Sequence, residues 1–226
     1  MKSENVTNRW YDDACSTAHA LELIGERWAL LVIRELMFGG RRFADLRRGL
    51  PGISANVLTQ RLQALAAAGV VARRTLPPPA SVQVYELTSW GYEAEPFVQS
   101  LGRWAARSPG HDPTLPLSAA SLMMSFRTMF ASERAGEARL TIAFRPGRDR
   151  FAVKVEAGAL AIERGEPDPA DAVVTAAPEV VTGIVYGGRP IADATASGEL
   201  GLEGDAAAFA RFTGLFALPP KAVVNG

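Results

Sequence analysis

Apolar positions in the first half of the chain fall mostly at helical spacing, and the exceptions mark where helices stop. Ala18, Leu21 and Ile24, with Leu23, predict a first helix, which Gly25 interrupts. Trp28, Leu31, Val32, Glu35 and Leu36 continue as a second amphipathic helix ending at Gly39-Gly40. Phe43, Leu46 and Leu50 mark a short third helix, and Pro51-Gly52 forces a turn after it. Ser54 is a good N-cap, and Leu58, Leu62 and Leu65 give a fourth helix its buried face. Gly69 can take the left-handed conformation that ends it. Two β-rich runs, 70–75 and 82–87, joined by LPPPAS, read as a hairpin with a stiff tip. Thr88 caps a last helix carrying Trp90, Phe97, Leu101 and Trp104, in which Pro96 is expected to introduce a kink.

A short helix, a tight turn, a helix with a polar face and a hairpin make a winged helix-turn-helix. With Leu58, Leu62 and Leu65 inward, the outer face of the fourth helix holds Asn56, Thr59, Gln60 and Gln63, beside Ser54 at its start. Amide side chains can pair with adenine edges, and hydroxyls can bond bases or phosphates. Such a helix presents its N-terminal turn to the major groove, so these five residues are the candidate base readers.

Charge strengthens this picture by position. The formal net charge is zero, yet residues 1–107 carry 13 Lys+Arg against 10 Asp+Glu, and residues 108–226 carry 11 against 14. Between Arg41 and Arg74 there are seven arginines and one acid, Asp45. A charge run is commonly just a solvated surface. Here Arg41, Arg42, Arg47 and Arg48 precede the polar helix face and Arg73 and Arg74 follow it, placed to clamp phosphates on both sides.

The segment SPGHDPTLPLS (108–118) holds Pro109, Gly110, Pro113 and Pro116 between two helical patterns and reads as an interdomain linker. The expected division is a DNA-binding domain over 1–107, the linker over 108–118 and a second domain over 119–226. The second domain alternates between strand-like runs (138–145, 150–157, 159–163, 171–176) and helix-like runs (118–134, 178–187, 205–217), which makes the chain α+β.

One cysteine excludes an internal disulfide and a zinc finger, and two histidines argue against a histidine-rich metal site. No catalytic cluster, metal site or cofactor motif is visible, so the chain is expected not to be an enzyme. The N-terminus lacks an apolar signal region, and the longest apolar stretch, 28–33, is too short to span a bilayer. These features lead us to expect a cytoplasmic protein without a membrane partner.

From Cys15 to Ala106 the residues resemble the HxlR family of bacterial winged-helix regulators. The matching stretches are CSTAHALELIGERW from Cys15, RFADLRR from Arg42, PGISANVLTQRLQAL from Pro51 and YELTSWG from Tyr85, closed by Pro96 and Trp104. The resemblance implies a cytoplasmic homodimer, assembled through the N-terminal segment and the last helix, that binds inverted-repeat operators in double-stranded DNA. It also places Ser54, Asn56, Thr59, Gln60 and Gln63 on the recognition helix. Residues 119–218 resemble the sterol-carrier-protein type 2-like fold through LTIAF from Leu140, FAVKVEAGALAIERG from Phe151, DAVVTA from Asp171 and GELGLEGDAAAFARF from Gly198. That fold implies an apolar tunnel, with Met123, Phe126, Met129, Phe130, Ile184, Phe209, Phe212 and Phe216 as candidate lining for an apolar effector. The same residues at helical spacing also suit an ordinary core.

Cys15 opens the first helix, where several members of the resembling family carry a reactive thiol. A helix N-terminus lowers a thiol pKa, whereas the adjacent Asp12 and Asp13 oppose the thiolate and favour an inert residue. Trp10, Tyr11, Trp90, Phe97 and Trp104 exceed what a small helical core needs and are expected to be buried partly across a dimer axis. Three functions compete: a dimeric regulator with an apolar effector, a redox or electrophile sensor through Cys15, and a lipid-binding protein with a vestigial DNA-binding domain. The Arg41–Arg74 constellation argues against the last.

Overall fold

The computed structural model describes residues 11–113 and 115–223. These form two compact units. One runs to Leu36 and resumes over Gly40–Ala94; the other takes Met37–Gly39 and the chain from Glu95 onwards. The units therefore divide at Ala94 and Glu95. Farther on, the 108–118 segment contains no helix or strand among its described residues.

The first unit is a winged helix-turn-helix. Its elements are α1 (Ser16–Ile24), α2 (Ala29–Leu36), α3 (Phe43–Gly49), α4 (Ala55–Ala67), β1 (Val71–Thr75), β2 (Gln83–Leu87) and α5 (Ser89–Tyr92). Leu58, Leu62 and Leu65 of α4 are buried, as are Val32, Ile33 and Leu36 of the contacting α2. Each buried leucine is worth about 1.5–3 kcal/mol over an exposed one. That preference fixes which face of α4 turns inward and leaves its polar face in water. Ser54 caps the helix by accepting from the Val57 amide at 3.2 Å. Gly69, at φ +76°, ends it, and the Val70 amide returns to the Leu65 carbonyl at 2.9 Å.

The wing is the antiparallel β1–β2 hairpin, with Val71 opposite Leu87 and Thr75 opposite Gln83. Arg41 adds an isolated bridge to Tyr85 through two backbone hydrogen bonds of 2.8 Å. After the wing the single kinked helix expected from Thr88 is two helices, α5 and α6 (Glu95–Ala106). Pro96 lies in the first turn of α6, where its missing N–H forfeits no helical bond, so the chain breaks before it instead of bending around it.

The second unit continues from α6 with α7 (Ala119–Met129), α8 (Ser132–Ala135), β3 (Leu140–Phe144), β4 (Phe151–Glu156), β5 (Ala159–Arg164) and β6 (Ala172–Ala176). Next come α9 (Pro178–Val185), α10 (Ile191–Ala196), β7 (Leu200–Gly204) and α11 (Ala206–Thr213). The five strands form one sheet in the order β5-β4-β3-β6-β7, parallel only between β3 and β6. On β4, Phe151, Val153 and Val155 are buried while Lys154 and Glu156 are exposed, so the sheet has one apolar face. Helices α7 and α11 contact that sheet.

Two features differ from the sequence pattern. The helix expected over 118–134 divides at Phe130, whose extended backbone bridges Phe216. The elements α10 and β7 also carry too weak a pattern to be foreseen: α10 is six residues, and β7 is LGLEG with two glycines. Gly204 takes φ +85°, and a Cβ there would lie 2.5 Å from the Asp171 carbonyl, so glycine is required where β7 closes on β6. Among the described residues, no helix is long and apolar enough to cross a membrane.

Candidate nucleic-acid interface

The polar face of α4 stands clear of the first unit's core. Ser54, Asn56, Thr59, Gln60 and Gln63 are all exposed. Thr59 donates its hydroxyl to the Ala55 carbonyl at 2.9 Å, which leaves its oxygen lone pairs as acceptors. The amides of Asn56, Gln60 and Gln63 have no hydrogen-bond partner among the described residues, so each keeps the paired donor and acceptor that an adenine edge matches.

The arginines fall into three groups. Arg42, Arg47 and Arg73 are exposed, and no carboxylate pairs with them among the described residues. Arg48 and Arg74 are exposed but engaged, Arg48 with Asp45 at 2.8 Å and Arg74 with Glu86 at 2.9 Å. Arg41 corrects the expectation of a phosphate clamp: it is only 9% exposed. Its backbone is held against Tyr85 of the wing by an isolated bridge. Arg61, part of the same basic run, pairs with Glu26 at 3.1 Å and is largely covered. Apart from Asp45, three residues before Arg48, these partners lie too far away in sequence to be read from spacing.

Cys15 is exposed and is the N-cap of α1. Its side chain makes no capping hydrogen bond of ordinary geometry. Even so, the Ala18 amide, followed by the Thr17 amide and hydroxyl, favours the thiolate and holds the pKa below the usual thiol value. The expected opposition from Asp12 and Asp13 does not prevail: Asp13 is turned to the Cys15 amide, accepting from it at 2.9 Å.

In the second unit, the candidate effector residues are mutual neighbours. Phe126 lies 5.3 Å from Phe212 and 4.8 Å from Phe216, centroid to centroid, and Phe212 lies 4.9 Å from Phe216. Met123, Met129, Ile184 and Phe209 are buried beside them in the core, and Phe130 is partly exposed. Close ring packing favours the ordinary-core reading of this set. Tyr11, Trp90, Phe97 and Trp104 are exposed, Trp104 by 74%, while Trp10 lies outside the described residues. Sequence reasoning did not single out Glu95, Gln99 and Arg127, which line a cavity of the second unit. No cluster of metal-ligating side chains occurs among the described residues.

Residues 23–112 match the family described as HxlR-like helix-turn-helix, and residues 116–222 match the family described as alkyl sulfatase C-terminal. The second match is where the sequence reading named a sterol-carrier-like fold. The uncharacterized HTH-type transcriptional regulator YvaP of Bacillus subtilis is 33% identical over 38% of this chain and 80% of its own length. The HTH-type transcriptional regulator YodB of Bacillus subtilis is 35% identical over 38% of this chain and 77% of its own length. Among solved structures, the redox regulator HypR in its reduced form is 30% identical, with a TM-score of 0.38, over 40% of this chain and 90% of that one.

Proposed function

The chain belongs to the HxlR-like helix-turn-helix family, and on that premise we propose that it is a transcriptional regulator that reads an inverted repeat in double-stranded DNA as a homodimer. The observation that carries the reading is the exposed face of α4, where Asn56, Gln60 and Gln63 keep unpartnered amides beside exposed Arg42, Arg47 and Arg73. Unpaired amides discriminate bases, and unpaired guanidinium groups neutralise phosphates. Ser54 and Thr59 add hydroxyl acceptors at the N-terminal end of the same helix. Arg48 and Arg74 contribute once a phosphate competes with Asp45 and Glu86. Dimerisation is supported by large exposed apolar side chains on each unit, Tyr11 and Trp90 on the first and Phe97, Leu101 and Trp104 on α6 of the second. The test is a gel-shift competition in which genomic fragments compete against random duplex. Preferential competition by a subset supports the reading, and equal competition by all rejects it.

For the second unit, the sterol-carrier-like reading rests on its five-stranded sheet with helices against it. The close ring packing of Phe126, Phe212 and Phe216 weighs against an apolar effector between these three side chains.

A second reading, electrophile sensing, is favoured by one observation: Cys15 is exposed and its thiolate is stabilised at the start of α1. The two readings are compatible, since a reactive thiol in the DNA-binding unit can bias DNA affinity.

A further inference from the structure

A cavity of about 350 Å³ lies within the second unit among α6, α7 and the β4–β5 hairpin, lined chiefly by Glu95, Gln99, Arg127, Phe130, Ala159 and Leu160. Arg127 is its fixed point. Nη1 donates to Glu95 Oε1 at 2.8 Å, and Nη2 donates to the Ile162 carbonyl at 2.7 Å. The guanidinium also lies over the ring of Phe38, a residue of the same unit, at 4.5 Å. Glu95 Oε1 accepts a second bond from Gln99 Nε2 at 2.9 Å. Both donors thus converge on one carboxylate oxygen. Glu95 Oε2 and Gln99 Oε1 have no hydrogen-bond partner among the described residues.

The side chains of Glu95 and Arg127 are 27% and 20% exposed, so the two free acceptors face an opening that a ligand can enter from solvent. The volume falls at the lower end of small-molecule sites. Phe130 and Leu160 supply apolar wall beside the two acceptors.

We propose that this cavity binds a small organic amine: an N–H donor, best as an ammonium, on a compact apolar body. The amine donates to Glu95 Oε2 and Gln99 Oε1, the first a charge-assisted bond, and the body covers Phe130 and Leu160. An organic anion is the poorer fit. Its carboxylate would face Glu95, and the Arg127 guanidinium is already committed to Glu95 and Ile162. Because α6 supplies Glu95 and Gln99 while α7 supplies Arg127, occupancy acts on the α6–α7 contact, which Arg103 also ties through the Thr128 carbonyl.

The experiment is a calorimetric and ligand-observed NMR titration of the full chain with phenethylamine, phenethyl alcohol and phenylacetate, without DNA. The expected order is amine first, alcohol next and carboxylate last. Glu95→Gln should weaken the amine by about tenfold or more. Since that change also alters the Arg127 pair, a second variant, Ala159→Trp, fills the cavity from an exposed strand position and leaves the pair in place. It should abolish amine binding while the thermal melt stays as in the parent. Three results would overturn the proposal: no saturable amine binding, phenylacetate binding as tightly as the amine, or amine binding unchanged by Ala159→Trp. The readout needs no DNA, so it stands or falls separately from the operator reading.

Discussion

Arg74 donates from Nη1 to Glu86 Oε1 at 2.9 Å across the β1–β2 hairpin, so one guanidinium of the wing is already neutralised before any phosphate arrives. On the proposed reading Glu86 would oppose DNA binding in two ways, by repelling phosphate and by occupying the arginine. Glu86→Gln should tighten binding to every duplex alike and steepen the dependence of log K on log salt by up to about 0.9. Arg47→Gln, which removes an unpaired guanidinium, should flatten that slope by a similar amount. Anisotropy titrations at several salt concentrations decide it, and unchanged slopes in both variants would count against a phosphate role.

On the proposed reading, Gln60 and Asn56 would make a different kind of contact from the arginines. Gln60→Ala or Asn56→Ala should cost about 1–3 kcal/mol on the preferred site and much less on random DNA, because a lost base contact is a loss of discrimination. Competition binding with both duplexes measures the two effects side by side. A uniform loss on both would place these residues at the backbone.

Gly91 has no room for a side chain. A Cβ there would lie 2.2 Å from the Val70 carbonyl, inside any allowed contact, and the obstacle is backbone. Gly91→Ala should destabilise the first unit by about 1–3 kcal/mol, seen as a lower urea midpoint. An unchanged midpoint would mean that α5 does not pack against Val70 this closely.

Cys15 titrates below an ordinary thiol, chiefly because the Ala18 and Thr17 amides favour the thiolate. A lowered pKa means more thiolate at a given pH beneath the usual thiol range, and only the thiolate reacts. The rate of iodoacetamide alkylation should therefore reach half its maximum at a lower pH than for a thiol in an unstructured peptide. The same midpoint in both would remove the helix start as a cause.

The legible parts of this chain were those decided locally. Ser54, the Leu58–Leu62–Leu65 spacing and Gly69 together specify where α4 begins, which face it buries and where it ends. Its outer face followed from the same three leucines. What the pattern could not show was pairing across the fold. Arg41 reads as a surface charge until Tyr85 binds its backbone, and Arg61 reads so until Glu26 meets it. Pro96 signalled a helix disturbance, but whether a proline kinks a helix or starts one depends on whether the preceding residues stay helical. At helical spacing the stripe of Phe126, Phe212 and Phe216 suited a core somewhat better than a tunnel, and the ring-to-ring distances, which the pattern could not give, favour the core further.

The central claim is that the face of α4 reads sequence in an inverted repeat. Selection of bound duplexes from a random library by the full chain, with sequencing over successive rounds, tests it most directly. The account predicts enrichment of one motif in two inverted copies, with centres about one helical turn apart or a multiple of it, and loss of that enrichment in the Asn56→Ala, Gln60→Ala double variant. A pool that stays random through every round, or a motif equally enriched by the double variant, would contradict it.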